Sequence, residues 1–194
     1  MRIRLIQPRE LFGPPERQEE LKTCWAKNDG LFDSYAHPAG QPFFNELFDL
    51  CHDNTVNVIA NSDIYFDRQG IELIRGFFQL EPYAGALSRW DIDPAGVPIL
   101  WNNRDSQDVW VFFGKPRNID AGFRMGIPGC DNHLCWLMQM AGYKVVNPSK
   151  TIKTYHIHQV QWRSYLVEPD GTARGGDKIE RVPGPYSFVL PAEL

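Results

Sequence analysis

Residues 56–67, VNVIANSDIYFD, are the starting point for predicting the fold. They open with an apolar, β-branched run that ends abruptly in the polar cluster Asn61, Ser62 and Asp63. An apolar run of this kind is typical of a buried strand in an α/β sheet. Ligands of such sheets bind beyond the carboxyl ends of the strands, where a carboxylate can hold a divalent cation. Asn, Ser and Asp are also ordinary turn residues, so this stretch taken alone favours a polar turn.

Length and composition predict a single soluble domain. The 194 residues are 43% hydrophobic and 23% charged, which suits one sizeable core. The net charge is −4, so we expect no bulk attraction to nucleic acid or to an anionic membrane. No segment has the length of a transmembrane helix or the apolar region of a signal peptide, which predicts a cytoplasmic protein. The four cysteines have no CxxC spacing, so reduced thiols are expected rather than a zinc knuckle.

Strands and helices alternate along the chain. Apolar spacing predicts helices at 16–27, 43–51, 71–80 and 131–141. Strands are predicted at 2–7, from 56, and at 83–90, 108–113, 144–147 and 151–158, with 28–42, 91–104 and 116–128 irregular. Residues 168–177 are expected to form a polar turn region, and 186–190 an edge strand or a docking tail. The pattern predicts a three-layer α/β/α sandwich with a mixed, mainly parallel sheet. We expect one domain over 1–194, with a core at 1–165 and a C-terminal extension at 166–194.

Polar clusters fall where strands and helices of this sheet are predicted to end. Three of them are NSD at 61–63, DSQDVW at 105–110 and GIPGCDN at 126–132. A fourth is YHIH at 155–158, where alternation along a strand puts His156 and His158 on the same face. Because α/β sites are assembled at strand ends, these clusters are the candidates for a functional site.

In combination, these segments resemble nucleotide-sugar-dependent glycosyltransferases of the GT-A fold. The resemblance rests on the colinear order of NSDIYFD, ALSRWD, DSQDVW, MGIPGCDN and AGYKVVNPSKTIKTYHIH after an early RQEEL, and it covers about residues 2–165. It is strongest for small bacterial and large-DNA-virus proteins with SQDxW and PGCDN signatures, including the N-terminal glycosyltransferase domain of a chlorella-virus protein. Residues 28–42 depart from the family pattern, which has a second strand there.

The resemblance implies a metal-dependent donor site. Asn61-Ser62-Asp63 would be a variant of the D-x-D motif, with Asp63 ligating Mn²⁺ or Mg²⁺ and Asn61 and Ser62 contacting the nucleotide end of the donor. The metal would neutralise the charge that grows on the diphosphate. One of His156 and His158 would complete the metal shell, and a histidine ligand favours Mn²⁺ over Mg²⁺. For either histidine alone, packing at the surface or in the core is the ordinary alternative.

The resemblance also assigns a base and several donor contacts. Asp131 would take the proton of the acceptor hydroxyl, as in inverting enzymes, and its alternative role is to cap the helix that it begins. Asp108 would hold sugar hydroxyls with Trp110 beneath the ring, or it is a structural acid at the start of a strand. The other proposed donor contacts are Gln7, Arg17, Arg89, Trp90 and Arg163. For Arg89 and Trp90, ordinary packing of an arginine beside an aromatic residue is the alternative.

Three functions remain open at this point. The first is a metal-dependent hexosyltransferase of polysaccharide biosynthesis, which uses a nucleotide sugar, UDP-linked, and a glycan or other hydroxyl acceptor, with inversion favoured over retention. The second is a metal-dependent nucleotidyltransferase or phosphohydrolase, a class that usually needs a second carboxylate or a phosphate-binding glycine loop. The third is a non-catalytic sugar-binding domain. Because the chain is short for a GT-A enzyme, another domain or subunit is a candidate for binding the acceptor.

Overall fold

A computed structural model of the chain describes residues 1–79, 82–160, 162–163, 166, 168, 175 and 179–194. These residues form an α/β fold, as expected, with two mixed sheets and four helices. The strands are β1 (Arg2–Ile6), β2 (Ser34–Ala36), β3 (Thr55–Ala60), β4 (Ile64–Phe66), β5 (Tyr83–Leu87), β6 (Trp90–Ile92), β7 (Pro98–Leu100), β8 (Val109–Phe113), β9 (Lys144–Val146) and β10 (Thr154–His156). The helices are α1 (Pro15–Asn28), α2 (Phe44–Asp49), α3 (Arg68–Phe77) and α4 (Cys130–Met140).

The larger sheet has the strand order β2-β1-β3-β8-β5-β9. Strand β1 pairs in parallel with β2 and β3, and β5 pairs in parallel with β9. Strand β8 is antiparallel to both of its neighbours, β3 and β5. The prediction of a mixed sheet is therefore confirmed, with β8 as the reversed strand.

The larger sheet is buried on both faces. Every residue of β3 is buried, and its side chains alternate between two apolar cores, as in a strand covered on both sides. Val58 lies in the core that includes Ile71 and Ile74 of α3, whereas Ile59 lies in the core that includes residues of α2 and α4. All four cysteines are buried and unpaired. None of the helices in the described part of the chain has the length and apolarity that a membrane crossing requires.

The smaller sheet, in the order β4-β10-β6-β7, differs from the predicted strands. The predicted strand 83–90 is two strands, since β5 ends at Leu87 in the larger sheet and β6 begins at Trp90 in the smaller one. The prediction that 91–104 is a loop was wrong, because β6 and β7 form a hairpin. Its turn closes through the N–H of Asp93, which donates to Val97 O, with Gly96 at φ 82°.

Two further boundaries differ from expectation. Residues 28–42 were predicted to be irregular, but they contain β2, whose Ser34 pairs with Arg4 of β1. The strand was not predicted because it has only three residues and the Pro and Gly residues of this segment are typical of irregular structure. Helix α3 begins earlier than predicted because Asp67 caps it by accepting the Gly70 N–H at 2.6 Å. The helix also ends earlier than predicted, at Phe77, because residues 78 and 79 form a turn; the predicted end, residue 80, itself lies outside the described residues.

The C-terminal residues 179–194 form a docked tail and contain no strand. Backbone hydrogen bonds of 2.8–3.2 Å join the tail to three separate parts of the domain: the start of α4, Arg104 and Asn147. The donors on the tail are the N–H groups of Val182, Ser187, Val189 and Ala192. Of the two alternatives for 186–190, the docking tail is therefore confirmed. Most of the polar turn region predicted at 168–177 lies outside the described residues.

Candidate functional site

A cleft of about 360 Å³ opens beyond the carboxyl end of β3. This is the edge of an α/β sheet at which ligands are expected. Most of the residues singled out in the sequence line it, although they come from five separate parts of the chain. These residues are Arg17, Asn61, Ser62, Asp63, Arg89, Asp108, His156, His158 and Arg163.

Asp63 and the two histidines come together because β4 and β10 pair. Asp63 lies in the turn between β3 and β4, and the antiparallel register places His156 opposite Ile64, the next residue. The Nε2 atom of His156 is 3.1 Å from Asp63 Oδ2, and Nδ1 of His158 is 3.8 Å from the same oxygen. One potential ligand atom from each of the three side chains lies within 4.8 Å of the others.

The charged side chains of Asp63 and His156 lie close together and are partly or fully buried, and this shifts their pKa values. Burial would raise the pKa of Asp63, but the charge and hydrogen bond of His156, with His158 and Arg17, hold it well below its usual value. Burial opposes the charge on His156, yet Asp63 and Asp91 raise its pKa to about 9. Without a metal, the His156 ring is therefore protonated on both nitrogens and positively charged at neutral pH. A metal bound at Nε2 would replace the proton on that nitrogen.

The side chains of Asp63, His156 and His158 could hold a metal ion. One carboxylate and two imidazoles suit Mn²⁺, Fe²⁺ or Zn²⁺ better than Mg²⁺, which prefers oxygen ligands. The Nε2 atom of His158 is buried and has no hydrogen-bond partner within the described residues. The Nδ1 atom of His156 is 2.6 Å from Asp91 Oδ1, which orients the ring with Nε2 towards Asp63. Both histidines, rather than one, can therefore contribute a ligand atom.

Asp91 was not singled out in the sequence. It lies on β6, in the ALSRWD segment, and the parallel pairing of β6 with β10 places it beside His156. Burial would raise its pKa, but hydrogen bonds and charge from His156 and Arg89 lower it. In the sequence, the one feature that could have indicated Asp91 is its position directly after Arg89 and Trp90. The contact with His156 becomes visible only in the pairing of the short strands β6 and β10.

Arg89 links Asp91 to Asp108. Its Nε donates to Asp91 Oδ1 at 2.8 Å, and its Nη1 donates to Asp108 Oδ2 at 3.1 Å. Asp108 also accepts from Asn61 Nδ2 at 2.9 Å. The side chains of Asn61 and Asp108, which were predicted to contact the nucleotide end of the donor and the sugar hydroxyls, therefore bond to each other where β3 and β8 meet, and both line the cleft.

Arg17 and Gln7 support the turn that carries Asp63. The buried guanidinium of Arg17 donates to Asp63 Oδ2 through Nη2, and its Nη1 donates to Ile157 O at 2.8 Å. Gln7 is fully buried and lies outside the cleft lining; its Nε2 donates to the carbonyl oxygens of Asn61 and Ile64, each at 2.8 Å. In this structure Gln7 therefore positions the backbone around the site.

The structure does not bring either predicted tryptophan to the cleft. Trp110 is fully buried in the core, where its ring packs edge-on against Phe44 at 4.9 Å between centroids. The Nε1 of Trp90 donates to Ser149 O at 2.8 Å. The aromatic residues that do line the cleft are Phe12 and Trp162, whose ring centroids are 5.6 Å apart. Neither residue was predicted from the sequence, because neither belongs to a polar cluster or to a predicted element.

Asp131 lies in the first turn of α4 but does not cap it. The N-cap is Gly129, at φ 86°, and the helix has no side-chain cap. Asp131 is absent from the cleft lining, whereas Asp108, whose charge acts on it, lines the cleft. Burial first, and then the charge of Asp108, raise the pKa of Asp131 to about 7. A carboxyl group that titrates near neutral pH is suited to accept and release a proton.

Comparison with known proteins adds no assignment. No known family model matches the chain, and no curated protein matches it significantly. The function is therefore inferred from the motifs in the sequence and the geometry of the cleft.

Proposed function

We propose that the protein is a metal-dependent glycosyltransferase with the three-layer GT-A architecture. It would move a sugar from a nucleotide-diphosphate sugar, UDP-linked, to a hydroxyl group of a glycan acceptor, with inversion. The observation that carries the proposal is the convergence of Asp63, His156 and His158 in a cleft at the carboxyl end of β3. The colinear motifs of the sequence support the same function.

Asp63, His156 and His158 would hold Mn²⁺, which when bound offsets the negative charge of the diphosphate. The other residues have supporting roles. Asp91 keeps the His156 ring oriented through Nδ1. Arg163 lies in the cleft lining and would contact the phosphates. Asn61, Asp108 and Arg89 present amide, carboxylate and guanidinium groups to the ribose and sugar hydroxyls.

Asp131 is not in the cleft lining, but the charge of Asp108, which is, acts on it; Asp131 would act as the general base for an acceptor bound beside Asp108. The acceptor oxygen bonds to the anomeric carbon while the bond from that carbon to the diphosphate breaks, and the acceptor proton passes to the Asp131 carboxylate. General-base assistance of this kind contributes about 10²–10⁴-fold in rate. The raised pKa of Asp131 supports this role, since a base that titrates near the working pH transfers protons efficiently.

We also propose that the protein acts in the cytoplasm, in polysaccharide biosynthesis, and that another domain or subunit helps to bind the acceptor. The four buried, unpaired cysteines support a reducing compartment.

A thermal-shift screen tests the proposed function. The full chain is heated with UDP-glucose, UDP-galactose, UDP-N-acetylglucosamine and GDP-mannose, each with Mn²⁺ or with EDTA. At a hundred times its Kd, a bound donor adds about 2.7 kcal/mol to the free energy of unfolding. We expect stabilisation that needs Mn²⁺, that Asp63→Ala removes, and that Asp49→Ala, a change at an exposed acid outside the cleft lining, retains.

Two other results would contradict the proposal and identify the alternatives. Hydrolysis of simple nucleoside triphosphates without sugar transfer would indicate a phosphohydrolase or a nucleotidyltransferase. Binding of sugar nucleotides that is unchanged by EDTA, and without turnover, would indicate a non-catalytic sugar-binding domain.

A further inference from the structure

The start of α4 places a buried thiol against the Asp131 carboxylate. The Sγ atom of Cys130 lies 3.1 Å from Asp131 Oδ1, and Cys130 is 1% exposed. Burial, and then the charge of Asp131, raise the pKa of the Cys130 thiol well above its ordinary value. The sulfur therefore keeps its hydrogen at neutral pH, so the thiol is the donor and the carboxylate the acceptor.

The N-cap residue of this helix supplies no capping side chain. Gly129, the N-cap, has φ 86°, and a Cβ built on it would lie 2.8 Å from Val182 O of the docked tail. A residue with a side chain would clash there, so the position requires glycine, which has no capping oxygen. The Asp131 carboxylate nevertheless makes no capping hydrogen bond, and it bonds to Cys130 instead.

Cys130 differs in this respect from the other three cysteines, all of which lie in the described part of the chain. The thiols of Cys24 and Cys51 donate to backbone carbonyl oxygens, at 3.1 Å from Asp63 O and 3.6 Å from Leu47 O. The thiol of Cys135 is 3.7 Å from the amide oxygen of Gln107. Cys130 alone among the four donates to a carboxylate.

We propose that Cys130 is a positioning residue, whose thiol holds Oδ1 of Asp131 so that Oδ2 takes the proton of the acceptor hydroxyl. The proton leaves the acceptor oxygen as that oxygen bonds to the anomeric carbon, and it ends on Asp131, while the thiol hydrogen stays on sulfur. The inference rests on the proposed function, in which Asp131 is the general base.

The hydrogen bond also affects when Asp131 can accept a proton. Burial and the charge of Asp108 favour the protonated carboxyl, whereas the Cys130 thiol, Arg89 and a backbone hydrogen bond from Gln107 favour the carboxylate. Without the thiol, a larger fraction of Asp131 would be protonated at neutral pH and unable to act as a base.

The test measures the Asp131 carboxyl directly, with no metal or substrate present. The side-chain carboxyl groups of ¹³C-aspartate-labelled full-length protein are titrated by NMR, and Asp131→Asn assigns the signal. We expect Cys130→Ala to raise the pKa of Asp131 by about half to one unit, since a hydrogen bond to a charged acceptor is lost. Cys130→Ser, which keeps a donor, should restore the parent value, and Cys51→Ala, an equally buried thiol without a carboxylate partner, should not change it.

An unchanged titration of Asp131 in Cys130→Ala would overturn the inference. A second measurement separates it from the proposed function: the pH dependence of sugar transfer or donor hydrolysis with the nucleotide sugar that stabilises the protein most. We expect the acidic limb of this profile to shift upward in Cys130→Ala by the same amount as the Asp131 titration. If the titration shifts and the profile does not, Asp131 is not the base, and Cys130 does not position one.

Discussion

His156 contacts two carboxylates with its two ring nitrogens: Nδ1 is 2.6 Å from Asp91 Oδ1, and Nε2 is 3.1 Å from Asp63 Oδ2. The ring is thereby fixed between β6 and the turn that follows β3. A histidine that ligates a metal through one nitrogen and bonds a carboxylate through the other is a common arrangement in metal sites, and the carboxylate increases the basicity of the ligand. This relationship leads to the first prediction.

Replacing Asp91 with Asn should weaken Mn²⁺ binding about 10–100-fold without removing a ligand, because the His156 ring loses its carboxylate partner. Isothermal titration calorimetry with Mn²⁺ measures this, and Asp49→Ala is the control acid outside the site. An Asp91→Asn protein that binds Mn²⁺ as tightly as the parent would show that Asp91 does not support a metal ligand.

His158→Ala should also weaken Mn²⁺ binding, by about tenfold or more, because both histidines bring a ligand atom to Asp63. The matched control is His52→Ala, an exposed histidine that does not line the cleft. The same calorimetric titration applies. Parent-like affinity in His158→Ala would leave His156 as the sole histidine ligand.

Asp131→Asn should reduce transfer about 10²–10⁴-fold, the contribution of a general base, and should stabilise the protein at alkaline pH. The raised pKa of Asp131 means that the folded state binds its proton more tightly than the unfolded state. The resulting stabilisation is complete below the unfolded pKa, near 4, and is lost as the pH rises through about 7. The neutral Asn avoids the cost of a buried charge.

Urea denaturation at pH 4.5 and at pH 8 measures this effect. Between pH 4.5 and pH 8, the free energy of unfolding of the variant should rise by roughly 1–3 kcal/mol relative to that of the parent. This is less than the full pKa shift of Asp131 would give, because water reaches the half-buried side chain. If the free energy of unfolding of the variant instead decreases relative to that of the parent as the pH rises, the raised pKa of Asp131 is contradicted.

Two glycine substitutions test the packing of the larger sheet. A Cβ on Gly85 of β5 would lie 2.8 Å from Phe78 Cζ, so Gly85→Ala should destabilise the protein by about 1–3 kcal/mol. Gly76→Ala, within α3, meets no described atom within 4 Å and should stabilise it by about 0.5–1 kcal/mol. Thermal denaturation of both variants checks the pair. A neutral Gly85→Ala would contradict the close approach of Phe78, the residue that follows α3, to the sheet.

The long periodic elements could be predicted from the sequence, whereas the short strands could not. The apolar runs of β3 and β8 and the spacing of α1 and α4 are local signals. Strands β2, β6 and β7 have three residues each, so they carry no measurable periodicity, and their pairing partners decide that they form. The smaller sheet that holds Asp91 and His156 was therefore not foreseen.

The candidate site was predictable to the extent that its residues fall at strand ends. Asp63, Asp108 and the two histidines lie at or next to such ends, and all four line the cleft. Trp110 shows the limit of this reasoning, since residues on neighbouring positions of one strand face opposite cores, and the sequence does not say which face a ligand meets. The contact between Cys130 and Asp131 depends on a local backbone turn that no apolar pattern encodes.

Isothermal titration calorimetry with UDP, the portion common to all UDP-sugars, tests whether a metal ion at Asp63, His156 and His158 holds the diphosphate of the donor. The parent protein and Asp63→Ala are each titrated with Mn²⁺ and with EDTA. We predict that UDP binds the parent only in the presence of Mn²⁺ and does not bind Asp63→Ala measurably. Equal binding of UDP by the parent in EDTA, or by Asp63→Ala, would contradict a metal-held diphosphate at Asp63, His156 and His158.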